Sequence, residues 1–144
     1  MQQPTYNSIR LILHAPSAAL DLTCCGHITA GIPLEAIEDR QRTELQDLLT
    51  TPGRYALQVG DDSMCQAGIL SGDIVVVQSQ QRAASGDIVV ALLDGEQVVL
   101  KRVRFVGGKQ IRLLADNSAE SDRLVDASRL AIQGRVVAQV RCYR

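Results

Sequence analysis

Two side chains in this sequence have the types needed to do chemistry together, Ser63 and Lys101. Ser63 is the third residue of Asp61-Asp62-Ser63-Met64, a polar turn after the strand-like run Tyr55-Ala56-Leu57-Gln58-Val59. Lys101 interrupts the apolar run Val98-Val99-Leu100-Lys101-Arg102-Val103. Alternate residues of a strand share a face, so Lys101 lies between Val99 and Val103. An amine flanked by valines is poorly hydrated, and desolvation favours its neutral form. A neutral amine accepts the proton of a serine hydroxyl and so makes it a nucleophile. The pair therefore reads as a Ser–Lys dyad. Taken singly, each residue has a plainer reading. A serine after two aspartates is commonly a turn residue, and a strand lysine commonly extends its ammonium to water.

The elements that must position this pair are strands. Runs of strand character span Tyr55–Val59, Ile74–Gln78, Ile88–Leu93, Val98–Arg104, Gln110–Leu114 and Ala131–Val140. They are separated by turn chemistry: Ser71-Gly72-Asp73, Ser85-Gly86-Asp87, Asp94-Gly95-Glu96 and Gly107-Gly108. Asp94-Gly95 between apolar runs predicts a hairpin that pairs Ile88–Leu93 with Val98–Arg104 and sets Lys101 inside a sheet. Before Gly53 the pattern is different. Ile9–Leu13 is a short strand candidate, and Pro16 with the small residues after it argues against a long helix. Residues 37–49 carry apolar side chains at helical spacing, with Leu45, Leu48 and Leu49 on one face. Thr51-Pro52-Gly53 ends that helix.

Composition sets the outer limits. The chain has 144 residues, a length for one domain, and is 46% hydrophobic but only 3% aromatic. Its core is therefore aliphatic. A net charge of −1 and a pI of about 6.1 give no bulk electrostatic case for nucleic-acid binding. The local stretch Arg102, Arg104 and Lys109 reads as a solvated sheet edge. Cys24, Cys25, Cys65 and Cys142 form no CxxC pair, and His14 and His27 stand alone, so no metal site or other cofactor is expected. Reduced thiols suit a cytoplasmic protein. Neither a signal peptide nor a membrane helix is expected.

Several motifs occur together in order. They are Val59-Gly60-Asp61-Asp62-Ser63-Met64, Gly68-Ile69-Leu70, Gly72-Asp73, Gly86-Asp87-Ile88-Val89-Val90-Ala91, Val99-Leu100-Lys101-Arg102, Leu113-Leu114-Ala115-Asp116-Asn117-Ser118 and Ile132-Gln133-Gly134-Arg135-Val136-Val137. The set resembles the self-cleaving LexA/UmuD peptidases over roughly residues 24–144. Upstream, Ile28-Thr29-Ala30-Gly31-Ile32-Pro33 is similar to the family's cleavage site, an Ala-Gly bond followed closely by proline. Two departures stand out. Asp61 replaces the glycine usual two positions before the serine, although Asp tolerates left-handed backbone better than most residues. The spacing from serine to lysine is one residue longer than in LexA, which the Asp94–Gln97 loop absorbs. Asp61 and Asp62 also raise the question of an anion beside the amine, which would favour its charged, inactive form.

The resemblance implies a mainly β fold of twisted antiparallel sheets and hairpins, with a short helix and a flexible N-terminal arm. Residues 1–33 are the arm with the cleavage site, and residues 34–144 the Ser–Lys peptidase domain. Ser63 is the implied nucleophile and Lys101 its base, with backbone N–H groups of Ser63 or Met64 as oxyanion donors. Ala30-Gly31 is the implied scissile bond, and Cys25-Gly26 the second choice. The roughly 30 residues ahead of Gly31 show no helix-turn-helix pattern, so the closest likeness is to the UmuD branch. That branch implies a homodimer, activation by the RecA–single-stranded DNA filament, and a UmuC-like Y-family translesion polymerase as partner, with no direct DNA binding and no membrane. Two other readings stay open: the regulatory half of a LexA-like repressor, and a non-catalytic binding module with the same fold.

Overall fold

The computed structural model describes residues 9–11, 26–27, 35–36 and 45–143 of the chain, with side chains from residue 48 onward. The chain divides into two compact units. One comprises Met1–Leu13 and Gly53–Arg144, and the other His14–Pro52.

The larger unit is an antiparallel sheet. Its strands are β1 (Ile9–Leu11), β4 (Arg54–Val59), β5 (Ile74–Ser79), β6 (Ile88–Leu93), β7 (Gln97–Val106), β8 (Gln110–Leu114), β9 (Arg123–Asp126) and β10 (Leu130–Val140). They lie in the order β1-β4-β5-β10-β6-β7-β8-β9. The smaller unit holds the short antiparallel pair β2 (Gly26–His27) and β3 (Glu35–Ala36), with Gly26 opposite Ala36, and the helix α1 (Leu45–Thr50). The helix expected over 37–49 is described only in this last part. Leu48 and Leu49 are half-buried, and residues 37–44 lie outside the described residues.

Strands β6 and β7 explain why two aliphatic clusters form. Alternate side chains leave opposite faces of a strand. Val90, Val98 and Leu100 enter one cluster with Leu57, Val59, Met64 and Val77. Val89, Ala91, Leu93, Val99 and Val103 enter another with Ile111, Leu113 and Val125. Both strands are thus buried on two sides, so they read as nearly continuous apolar runs. The hairpin between them forms as expected. Asp94 and Gly95 both take positive φ, 55° and 71°, and Leu93 pairs with Gln97. Arg129 holds the turn through two 2.7 Å bonds to the Asp94 carboxylate.

Strand β10 runs along both β5 and β6, with register shifts between Ile132 and Gly134 and between Val136 and Ala138. Gly134 pairs with Ser79 on one side and Val90 on the other. A Cβ there would stand 2.5 Å from Val77 Cγ1 and 2.6 Å from the Gln78 carbonyl oxygen. Gly134→Ala therefore has to push the two strands apart. Its expected cost is roughly 1–3 kcal/mol, the range for overpacking a tight site, read as a lower urea midpoint.

Strand β9 was not expected from the sequence. Only Val125 of its residues is buried, and charged or exposed residues surround it. The basic stretch also differs from expectation. It does not lie at a sheet edge, because β7 is flanked by β6 and β8. Arg102 is half-buried and ion-paired with Asp116 at 2.7 Å, and only Arg104 and Lys109 are exposed.

Candidate active site

The loop after β4 is built around its own carboxylates. Asp61 Oδ1 accepts the Ser63 N–H at 3.0 Å, and Asp62 Oδ1 accepts the Ser71 N–H at 3.1 Å. Short acidic side chains close such turns readily, because they reach backbone donors two residues on. The departure from glycine at position 61 is therefore accommodated without left-handed backbone. Asp94 is the one non-glycine residue with positive φ among the described residues. Met64 anchors the loop. Its side chain is fully buried, and its carbonyl accepts the N–H groups of Ala67 and Ile69.

The far side of this loop is clamped by the chain end. Asp73 is 2% exposed, accepts the Leu70 N–H at 2.8 Å, and takes two 2.7 Å bonds from Arg141. Those Arg141 hydrogen bonds, aided by the Leu70 N–H and Arg141's charge, outweigh burial and hold the Asp73 carboxyl below the usual carboxylate range.

Ser63 itself is 3% exposed, and its Oγ is buried with no hydrogen-bond partner. A buried hydroxyl left unpaired costs about 1–3 kcal/mol. Lys101 occupies β7 opposite Val89, between the buried Val99 and Val103, as its spacing predicts. Its side chain retains about a fifth of its exposure, and its Nζ donates to Glu120 Oε2 at 3.0 Å. The amine and the hydroxyl are thus not hydrogen-bonded to each other.

One turn connects them. The Asp116 N–H reaches Met64 Sδ at 3.4 Å, the Gln66 N–H reaches the Asp116 carbonyl at 2.7 Å, and Asn117 Nδ2 reaches the Asp62 carbonyl at 2.9 Å. The same turn carries Glu120 to Lys101. The anion beside the amine is therefore Glu120, while Asp61 and Asp62 are engaged by backbone donors of the serine loop. No spacing rule ties residue 120 to residue 101, so sequence reading had no signal for it. Ala30, Gly31 and Cys25 lie outside the described residues, and Gly26 is seen as backbone in β2. Cys65 and Cys142 are free thiols, half-buried and exposed. Among the described residues no helix is long and apolar enough to cross a membrane, and no three His, Cys, Asp or Glu side chains cluster as metal ligands would.

The antiparallel β scaffold thus brings a buried serine and a strand lysine to the two sides of one turn. Comparison with known families gives the class of the protein. Residues 23–137 match the model described as Peptidase S24-like, and the chain belongs to that family of serine autopeptidases. It is also similar to the LexA repressor of Gluconobacter oxydans (strain 621H), with 44% identity over 120 residues, 82% of this chain and 50% of the relative. The chain thus spans about half the length of that curated relative.

Proposed function

We propose that this chain is the self-cleaving regulatory part of a LexA-like transcriptional repressor, with Ser63 as nucleophile and Lys101 as general base. The observation that carries the catalytic reading is the buried Ser63 Oγ without a partner, on a loop tied to the turn that holds Lys101. The named relative supports the repressor over the UmuD-like polymerase subunit, and the UmuC-like partner has no observation in its favour. A homodimer and stimulation by the RecA filament belong to this reading through the family. Codons upstream of Met1 that encode a helix-turn-helix in frame would support the repressor. A purified complex with a Y-family polymerase would favour the other branch.

In the reaction, Ser63 Oγ forms a bond to the carbonyl carbon of Ala30 while its proton passes to the neutral amine of Lys101. The resulting ammonium returns the proton to the Gly31 nitrogen as the C–N bond breaks. An acyl group is left on Ser63, and water hydrolyses it. The Ser63 N–H is occupied by Asp61, which leaves the Met64 N–H as the assigned oxyanion donor. The arm of residues 1–33 supplies the substrate and residues 34–144 the site. Incubation followed by intact-mass measurement is expected to give fragments 1–30 and 31–144. A large fragment that begins at Gly26 would move the bond to Cys25-Gly26, and any other first residue would refute both assignments.

A further inference from the structure

We propose that Glu120 is a latch on Lys101, which holds the general-base amine as an ammonium ion out of contact with Ser63 Oγ until the ion pair opens. The inference rests on the assignment of Ser63 and Lys101 as the dyad. Three observations carry it. The Lys101 Nζ lies 3.0 Å from Glu120 Oε2. The Ser63 Oγ is buried and has no partner. Glu120 is set by a turn that is itself fastened to the serine loop. Within that turn the Ala119 N–H bonds Asn117 Oδ1 and the Glu120 N–H bonds the Asn117 carbonyl, both at 3.0 Å. Asn117 Nδ2 in turn bonds the Asp62 carbonyl, next to Ser63.

The other charges nearby are committed elsewhere. Arg102, the next residue on β7, pairs with Asp116, and Asp87 accepts the Ala84 N–H. Asp61 and Asp62 accept the Ser63 and Ser71 N–H groups. Val89, opposite on β6, carries no charge. Glu120 is therefore the carboxylate that acts on the amine. An opposite charge favours the ammonium form, which has no lone pair to take the serine proton. Release lets the ammonium give a proton to solvent, and the neutral amine then takes that of Ser63. The Glu120 side chain is 44% exposed, so the pair is weak enough to open thermally.

The test separates the latch from the dyad. The sequence has two lysines, Lys101 and Lys109. Lysine-selective ¹³C labelling therefore gives two ε-carbon signals, which Lys109→Arg assigns. In the Ser63→Ala chain, which is expected not to cleave, Glu120→Gln should move the Lys101 ε-carbon signal at neutral pH, because the ion pair is gone. Glu120→Asp, which keeps the charge, should leave it near the parent value. With Ser63 present, Glu120→Gln should speed spontaneous cleavage at neutral pH by about two- to fivefold. A Lys101 signal that does not move, or a cleavage rate that does not rise, in Glu120→Gln overturns the latch and leaves the dyad standing. Cleavage that persists in Ser63→Ala overturns the dyad, and the latch with it.

Discussion

Ser63→Ala and Lys101→Ala are each expected to abolish self-cleavage, with a loss on the order of 10⁴–10⁶ in rate, the range seen when a nucleophile or its base is removed. The two variants differ in what they do to the fold. Ser63→Ala deletes a buried hydroxyl that has no partner, so it removes a desolvated polar atom and breaks no hydrogen bond. Its stability is expected to equal or exceed that of the parent, by up to roughly 1 kcal/mol. Lys101→Ala frees a Glu120 carboxylate that is already 44% exposed, so water takes over as its partner. The strand keeps Val99 and Val103 in their cluster. Lys101→Arg is the sharper control, because guanidinium keeps the charge and a partner for Glu120 but does not give up its proton. It is expected to be folded and inactive. Intact mass over time reads the cleavage, and thermal melting reads the fold. Cleavage in any of the three, with a normal melt, rules out the dyad.

How much of this was legible in the sequence depends on how far apart the interacting residues lie. The ends of β6 and β8 fall where the apolar runs and turn residues place them, since Asp94-Gly95 and Gly107-Gly108 act over a few bonds. The valine faces around Lys101 follow from strand periodicity alone. Strand β9 was not legible, because one buried valine cannot show a period and its pairing comes from β8. The Asp73–Arg141 clamp and the Lys101–Glu120 pair join residues that only the folded sheet brings together. Asp61 was legible as a departure from the family pattern. Its role was not, because a carboxylate that caps its own loop and one that faces the lysine look alike in a list of residues.

The pH dependence separates the chemistry from the scaffold. A lysine side chain ordinarily titrates near 10.4, and only the neutral amine can take the Ser63 proton. Spontaneous cleavage is therefore expected to accelerate as pH rises from about 7 toward about 10. The acid side has a different origin. The Asp73 carboxyl is held below its ordinary range, chiefly by the hydrogen bonds from Arg141. A group with a depressed folded-state value adds stability that is fully present above its unfolded value, about 3.9. That contribution is lost as pH falls below this value and through the folded one. Between about pH 5 and 7 the clamp on the serine loop is thus intact, so a low cleavage rate in that range would not come from its loss. Circular dichroism on the same samples should stay constant across this interval while the rate climbs. Asp73→Asn should shift the acid unfolding transition and leave the slope of the alkaline rise unchanged, because the carboxylate acts on the loop and not on the amine. A cleavage rate that is flat or falls from pH 7 to 10, with the fold preserved, would exclude Lys101 as the base and favour a module that binds without cutting.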